Sequence, residues 1–247
     1  MERDSLFGFE RVTAAAKSSR VKEVFDSVAD RYDLMNDLMS FGMHRLWKRF
    51  AVEILDSKPG ESVLDLAAGT ADLARLIDKR ASGLVHILVC DINASMLEIG
   101  RDRSIDKAVT SNIDYLQGSA EAIPLKPNSV DRVIIGFGLR NVTRRTVALE
   151  EMYRILRPGG RLVVLEFSSV KAPFLASLYE IYSFRALPLL GGAVTGHAES
   201  YRYLAESIRV HPDQEALKYM MRGVGFEGVR YNNVMAGVVA IHIGHKY

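Results

Sequence analysis

The chain of 247 residues has one cysteine, Cys90, one tryptophan, Trp47, and seven prolines. A single cysteine excludes an intrachain disulfide framework. Its place in an apolar run predicts a buried, inert thiol and a reducing compartment. A dominant charge is also missing. The net charge is +2 and like charges form no block, so there is no electrostatic footprint for nucleic acid. No window holds the ~18 uninterrupted apolar residues of a membrane span. The first residues mix charges without an apolar core segment, which predicts no secretory leader. Histidine, cysteine and acidic residues nowhere fall at metal-ligand spacing, so no metal is expected. What remains is an ordinary globular composition, 48% hydrophobic and 25% charged, with length for one large α/β domain or two small ones. No internal repeat or low-complexity segment interrupts it.

The organising stretch runs from Glu61 to Leu97. Ser62 to Ala67 reads as a buried strand. Ala68, Gly69 and Thr70 make a small-residue turn, with Thr70 placed as N-cap of a helix carrying Leu73, Leu76 and Ile77. A second apolar run, Val85 to Cys90, ends in Asp91, 22 residues after Gly69. That is close to the roughly 20 expected between a nucleotide-binding turn and its ribose-binding acid. The turn holds one glycine where dinucleotide-binding turns have three. A ligand with adenosine but no pyrophosphate tolerates it better. An ordinary βα turn is the competing reading.

Before this stretch, residues 1 to 20 are polar and unpatterned and are expected to be loose until covered. Val21 to Val28 is a predicted helix, and Leu46, Trp47, Phe50, Ala51, Ile54 and Leu55 repeat at helical spacing over His44 to Asp56. Residues 1–58 therefore read as a cap on the substrate side of a domain covering 59–247. Later come a helix over Asn93 to Arg103, strands at Ile113 to Leu116 and Val130 to Phe137, and a helix over Thr146 to Leu156 stopped by Arg157-Pro158-Gly159-Gly160. A strand follows at Arg161 to Phe167. Strand–helix alternation implies a parallel sheet. Residues 170–211 break that rhythm as an insertion, and Pro173 to Leu190 is strongly apolar, read either as a core helix or dimer contact or as the entry for an apolar tail. A helix over Asp213 to Gly223 leads to two closing strands, Phe226 to Tyr231 and Gly237 to Ile243. In the second, Val239, Ile241 and Ile243 are expected inward, with Ala240 and His242 outward.

Read together, GSAEAIPL, FGLRNV, LRPGG and SYRYLAESI resemble the UbiE-type C-methyltransferases of ubiquinone and menaquinone biosynthesis, class I S-adenosylmethionine-dependent enzymes. The resemblance runs from about Val24 to the C-terminus. It implies a Rossmann-like α/β fold, a seven-stranded mostly parallel sheet with an antiparallel last strand and helices on both faces. It also implies S-adenosylmethionine as methyl donor, with Gly69 and Thr70 at its methionine and sugar. Asp91 would hold the ribose hydroxyls, Ile92 would lie beside the adenine, and Ser119 and Ala120 would flank it. Gly136 sits where many relatives have serine. The implied acceptor is a polyprenyl quinol. The implied setting is cytoplasmic, with peripheral contact at the inner membrane face, a quinone-biosynthesis complex and a homo-oligomer all left open.

Carbon methylation needs a quinol carbon made nucleophilic by an adjacent hydroxyl losing its proton, and hence a cation or donors for that oxygen. Arg140 and Asn141, following the fourth strand, are the catalytic candidates; Arg140 has a structural alternative in closing the strand end. A guanidinium keeps its proton, so Arg140 is not read as a free base. Tyr32 is the candidate for positioning the ring or relaying a proton, with a core aromatic as its alternative, and His197 is a weaker choice. Tyr201, Arg202 and Tyr203 either line the pocket or anchor their loop. Asp72 reads as a charge favoured by the helix dipole. Two rivals stand beside this reading. An NAD-dependent oxidoreductase lacks its three glycines, and a non-catalytic scaffold leaves Asp91 and FGLRN without a use.

Overall fold

A computed structural model describes residues 4–28, 36–37, 40, 42–109, 112–170 and 198–247. Strands β3 (Ser62–Leu66), β4 (His86–Asp91), β5 (Ile113–Gln117), β6 (Val130–Gly136), β7 (Leu156–Phe167), β8 (Glu227–Val234) and β9 (Val239–His245) form one sheet in the order β5-β4-β3-β6-β7-β9-β8. β3 to β7 pair in parallel, and β9 runs antiparallel to both β7 and β8. The chain leaves β3 toward β4 and β5, then returns to the other side of β3 for β6. This reversal opens a crevice at the carboxyl ends of the strands.

The apolar runs make sense once both faces are covered. On one face Val63, Ile134, Val163 and Leu165 pack with Trp47, Ala51 and Leu55 of α2 (His44–Leu55) and with Leu73 and Ile77 of α3 (Asp72–Ala81). On the other, Leu64, Val133, Ile135 and Val164 meet Leu149 and Met152 of α5 (Arg145–Ile155) and Leu217 and Met221 of α7 (Gln214–Val224). α4 (Ala94–Asp106) follows β4, and α6 (Ala198–Arg209) precedes α7.

Several expectations change. Residues 4–28 carry regular structure: β1 (Asp4–Phe7) and β2 (Glu10–Thr13) form a hairpin, and α1 runs over Ala14–Val28. The Thr13 hydroxyl accepts the Ala16 N–H at 3.2 Å, so this helix starts seven residues earlier than expected. β9 is not inside-outside alternating. His242 and Ala240 are as buried as Val239 and Ile241, because β9 is an inner strand with α7 behind it, and His242 Nε2 lies 2.9 Å from the Gln214 carbonyl. Arg157 to Gly160 does turn the chain, as a bulge inside β7: Leu156 pairs with Val130, Arg161 with Arg132, and Gly159 has φ +84.

Thr70 does not cap α3. Ala71 holds the N-cap position at φ +60 without a side-chain cap, and the buried Thr70 hydroxyl has no partner among the described residues. Ala67, Gly69 and Ala71, all left-handed at φ +51, +55 and +60, swing the chain from β3 into α3. The capping is done from the strand itself: Asp65 Oδ2 accepts the Ala74 N–H at 2.9 Å. Burial pushes the Asp65 carboxyl up to about 7 against that hydrogen bond and the nearby Lys48.

Candidate active site

A cavity of about 800 Å³ opens at the carboxyl edge of β3 to β6. Its floor is the turn after β3, with Ala67 and Gly69, and its wall carries Asp91, Ile92, Gly118, Ser119 and Ala120 from the ends of β4 and β5. Phe137, Gly138, Asn141 and Val142 close the β6 side. α1 forms the roof through Ser18, Val21, Lys22 and Phe25, which fall at i, i+3, i+4 and i+7 and so share one helical face. That spacing was readable in the sequence and would have found the roof.

Asp91 is the fixed point. Its Oδ2 accepts the Gly69 N–H at 2.8 Å and its Oδ1 the Asn93 N–H at 2.8 Å. Burial raises its pKa, and these backbone donors work against the rise. The Ile92 N–H acts on the same carboxylate, and a carboxylate's several acceptor sites still leave room for a diol. Gly69 approaches Met96 so closely that a Cβ would stand 3.3 Å from its Cε, at a φ few side chains adopt. Ile92, half exposed, supplies an apolar face beside the acid. A carboxylate with spare acceptors, an apolar flank and a close-approach turn suit an adenosine-bearing ligand such as S-adenosylmethionine. Among the described residues no group of histidine, cysteine and acid could hold a metal ion.

Sequence-predicted site residues divide. Gly69, Asp91, Ile92, Ser119, Ala120 and Asn141 meet at this cavity. Thr70 does not; it is turned into the protein, where its carbonyl accepts Arg75 Nη1 at 2.7 Å. Gly136 is also absent from the wall. A Cβ there would sit 2.6 Å from Leu73 Cδ1, so glycine at this position makes room for α3, not for a ligand. Tyr32, His197 and Pro173 to Leu190 lie outside the described residues.

Arg140 is placed differently from Asn141. It sits in a 3₁₀ turn, Leu139–Asn141, whose geometry sends successive side chains apart. Its guanidinium is buried: Nη1 pairs with Glu166 Oε1 at 2.8 Å and also donates to the Phe137 carbonyl, and the group lies 5.5 Å over the Phe167 ring. Both partners are buried, each side chain 2% exposed, and Arg140 does not line the cavity. It braces Phe137, which has φ +57, a strained value for a bulky residue that is held here between Trp47 and Phe167.

Asn141 takes the opposite course and faces the cavity, while its Oδ1 accepts the Tyr203 hydroxyl at 3.0 Å. Each following residue is also clasped by another element. Lys17 of α1 donates to the Val142 carbonyl at 3.2 Å, and Glu121 Oε1 accepts the N–H groups of Thr143 and Arg144 at 3.0 and 2.9 Å. Burial, with Arg145 nearby, lowers Lys17 to about 8. Sequence reasoning missed Lys17, Glu121 and Phe137, since their roles depend on contacts made across the fold.

The model of the ubiE/COQ5 methyltransferase family matches residues 13–246. A ubiquinone/menaquinone biosynthesis C-methyltransferase UbiE of Methylococcus capsulatus is 53% identical over 246 residues, covering 100% of this chain and 99% of its own. The protein so named in Legionella pneumophila is 51% identical over 241 residues, covering 98% and 96%. Among solved structures, an S-adenosylmethionine-dependent methyltransferase of Thermotoga maritima superposes with a TM-score of 0.62 at 22% identity, covering 91% of this chain and 99% of that one. At that identity it speaks for the fold alone.

Proposed function

The chain belongs to the ubiE/COQ5 methyltransferase family and is an S-adenosylmethionine-dependent C-methyltransferase of ubiquinone/menaquinone biosynthesis, and from that premise we propose how its residues divide the work. Asp91 holds the ribose hydroxyls, Ile92, Ser119 and Ala120 surround the adenine, and the turn at Gly69 admits the rest of the cofactor. S-adenosylmethionine, when bound, supplies a methyl group on a positively charged sulfur. The chain's own task is to present a quinol carbon in line with that methyl group and to carry the charge on the adjacent oxygen.

Asn141 is the donor we assign to that oxygen. The observation that carries this is its place on the cavity wall, while Arg140, one residue away, is consumed by Glu166. An amide N–H stabilises oxygen as it gains negative charge and needs no proton transfer of its own. Arg140 is a positioning residue for the Phe137–Asn141 turn. Residues 1–58 serve as the cap, with α1 excluding water from the cavity. Residues 170–211 serve as the substrate-side insertion. A quinol with a polyprenyl tail resides in a bilayer, so the enzyme meets it at a membrane surface, and Pro173 to Leu190 is the segment whose sequence suits that contact. Among the described residues no helix is long and apolar enough to cross a membrane.

The test is single-turnover methylation of a reduced short-prenyl demethylmenaquinone by Asn141→Ala. Loss of an oxyanion donor predicts a rate lower by ~10²-fold or more, with S-adenosylhomocysteine affinity unchanged. A normal rate would remove Asn141 from the reaction.

A further inference from the structure

The SYRYLAESI stretch is among the most specific motifs of the sequence, yet the methyl-transfer chemistry assigns it no task. In the fold it is the body of α6. Its Tyr203 is buried beside the cavity wall, where the hydroxyl donates to Asn141 Oδ1 at 3.0 Å. The ring is held by a parallel stack on Phe7 of β1, with centroids 4.1 Å apart and planes 14° apart, and Arg20 lies over the far ring at 5.5 Å.

A carboxamide has two unlike ends, an acceptor oxygen and a donor NH₂, and either can face a cavity. We propose that Tyr203 is the positioning residue that decides which end of Asn141 faces the substrate: its O–H occupies the amide oxygen and so turns the NH₂ toward the quinol oxygen. This rests on the Asn141 assignment above and deepens it. Three observations support it. Nδ2 of Asn141 makes no hydrogen bond among the described residues, so the donor end is unspent. Burial pushes the Tyr203 phenol up to about 12, although Arg140 and Arg145 pull the other way, so it keeps its proton and remains a donor across working pH. The ring cannot easily swing away, because Phe7 covers one face.

The arrangement also gives the N-terminal hairpin a use. Phe7 holds Tyr203, Tyr203 holds Asn141, and Phe9 and Gly8 rest on Glu206, one turn further along α6; the Phe9 N–H donates to Glu206 Oε2 at 3.3 Å. An acceptor facing the substrate would repel a developing oxyanion, so selecting the amide end is selecting the reaction.

The test is a double-mutant cycle with Tyr203→Phe, which keeps the stack on Phe7 and removes only the hydroxyl, and Asn141→Ala. Single-turnover rates are measured with a reduced short-prenyl demethylmenaquinone, and folding is verified by S-adenosylhomocysteine titration. Tyr203→Phe is expected to lower kcat by ~10-fold or more, with cofactor affinity unchanged. In the Asn141→Ala background it should add less than about twofold, because a residue acting through Asn141 has nothing left to position. Normal turnover in Tyr203→Phe, or an effect that adds in full to that of Asn141→Ala, overturns the inference while leaving the Asn141 assignment standing. Normal turnover in Asn141→Ala overturns both. Should Tyr203→Phe fail to bind S-adenosylhomocysteine, tetrafluorotyrosine placed at 203 preserves shape and lowers the phenol's ionisation range. The inference then requires an alkaline loss of kcat absent from the parent enzyme, and an unchanged pH profile overturns it.

Discussion

Arg140 and Asn141 are neighbours in the chain and opposites in environment. One is an ion pair sealed under the cavity wall and the other is part of the wall. Removing Arg140 therefore reads first as a stability change. Arg140→Ala leaves the Glu166 carboxylate buried with its backbone donors and no cation, a loss of about 3 kcal/mol or more. At roughly 2–4 °C per kcal/mol for a chain of this size, the melting temperature should fall by about 6–12 °C. Arg140→Lys should recover only part of it, since an ammonium keeps the charge but loses the flat guanidinium that lies over the Phe167 ring. Thermal denaturation of the three proteins checks this; full stability in Arg140→Ala would mean the pair contributes nothing to the fold. Phe137 belongs to the same unit, since its strained backbone is kept by the carbonyl bond that Arg140 makes.

At the scale of elements, α2 is fastened to α3 by charge as well as by Trp47 and Leu55. Lys48 Nζ lies 2.9 Å from Asp72 Oδ2, and Arg75 donates to Oδ1 of the same carboxylate. Burial raises the Asp72 pKa, but Lys48 and Arg75 outweigh it and hold the group at about 2. A carboxyl whose folded pKa lies below its unfolded ~3.9 adds stability above that value and loses it as pH falls toward the folded one. Asp72→Asn is thus expected to cost about 2 kcal/mol at pH 7, and the difference should shrink between about pH 4 and pH 2. Urea denaturation of both proteins across that range measures it, and a gap independent of pH would assign the cost to packing instead. The first-turn position of Asp72 was legible in the sequence. Its partner on α2 was not, because Lys48 stands 24 residues away and only the docking of the two helices brings them together.

For the molecule as a whole, the cavity links ligand binding to stability. S-adenosylhomocysteine at about 100 times its dissociation constant should stabilise the fold by ~2.7 kcal/mol. That corresponds to a rise of roughly 5–10 °C in melting temperature. Asp91→Ala should lose most of that shift at the same ligand concentration, since the acid is the polar anchor of the wall. A shift of parent size in the variant would place the adenosine elsewhere in the cavity.

Local pattern was enough to read the parallel sheet and its carboxyl edge: continuous apolar strands, a small-residue turn at Gly69, and an acid ending β4. Position after the fourth strand put Asn141 at the same edge, and the family resemblance put Ser119 and Ala120 there. What the sequence could not decide was direction. Arg140 and Asn141 arrive in one motif, and only a 3₁₀ turn packed against Glu166 sends one inward and the other to the cavity. Thr70 was readable as part of the small-residue turn and Gly136 was singled out by the resemblance, but their contacts with Arg75 and Leu73 come from α3 packing against the sheet. The inward face of His242 follows from β9 lying between β7 and β8, an arrangement set by long-range pairing. Local spacing chose the elements; the burial and hydrogen-bond needs of side chains distant in sequence chose which of their faces became the site.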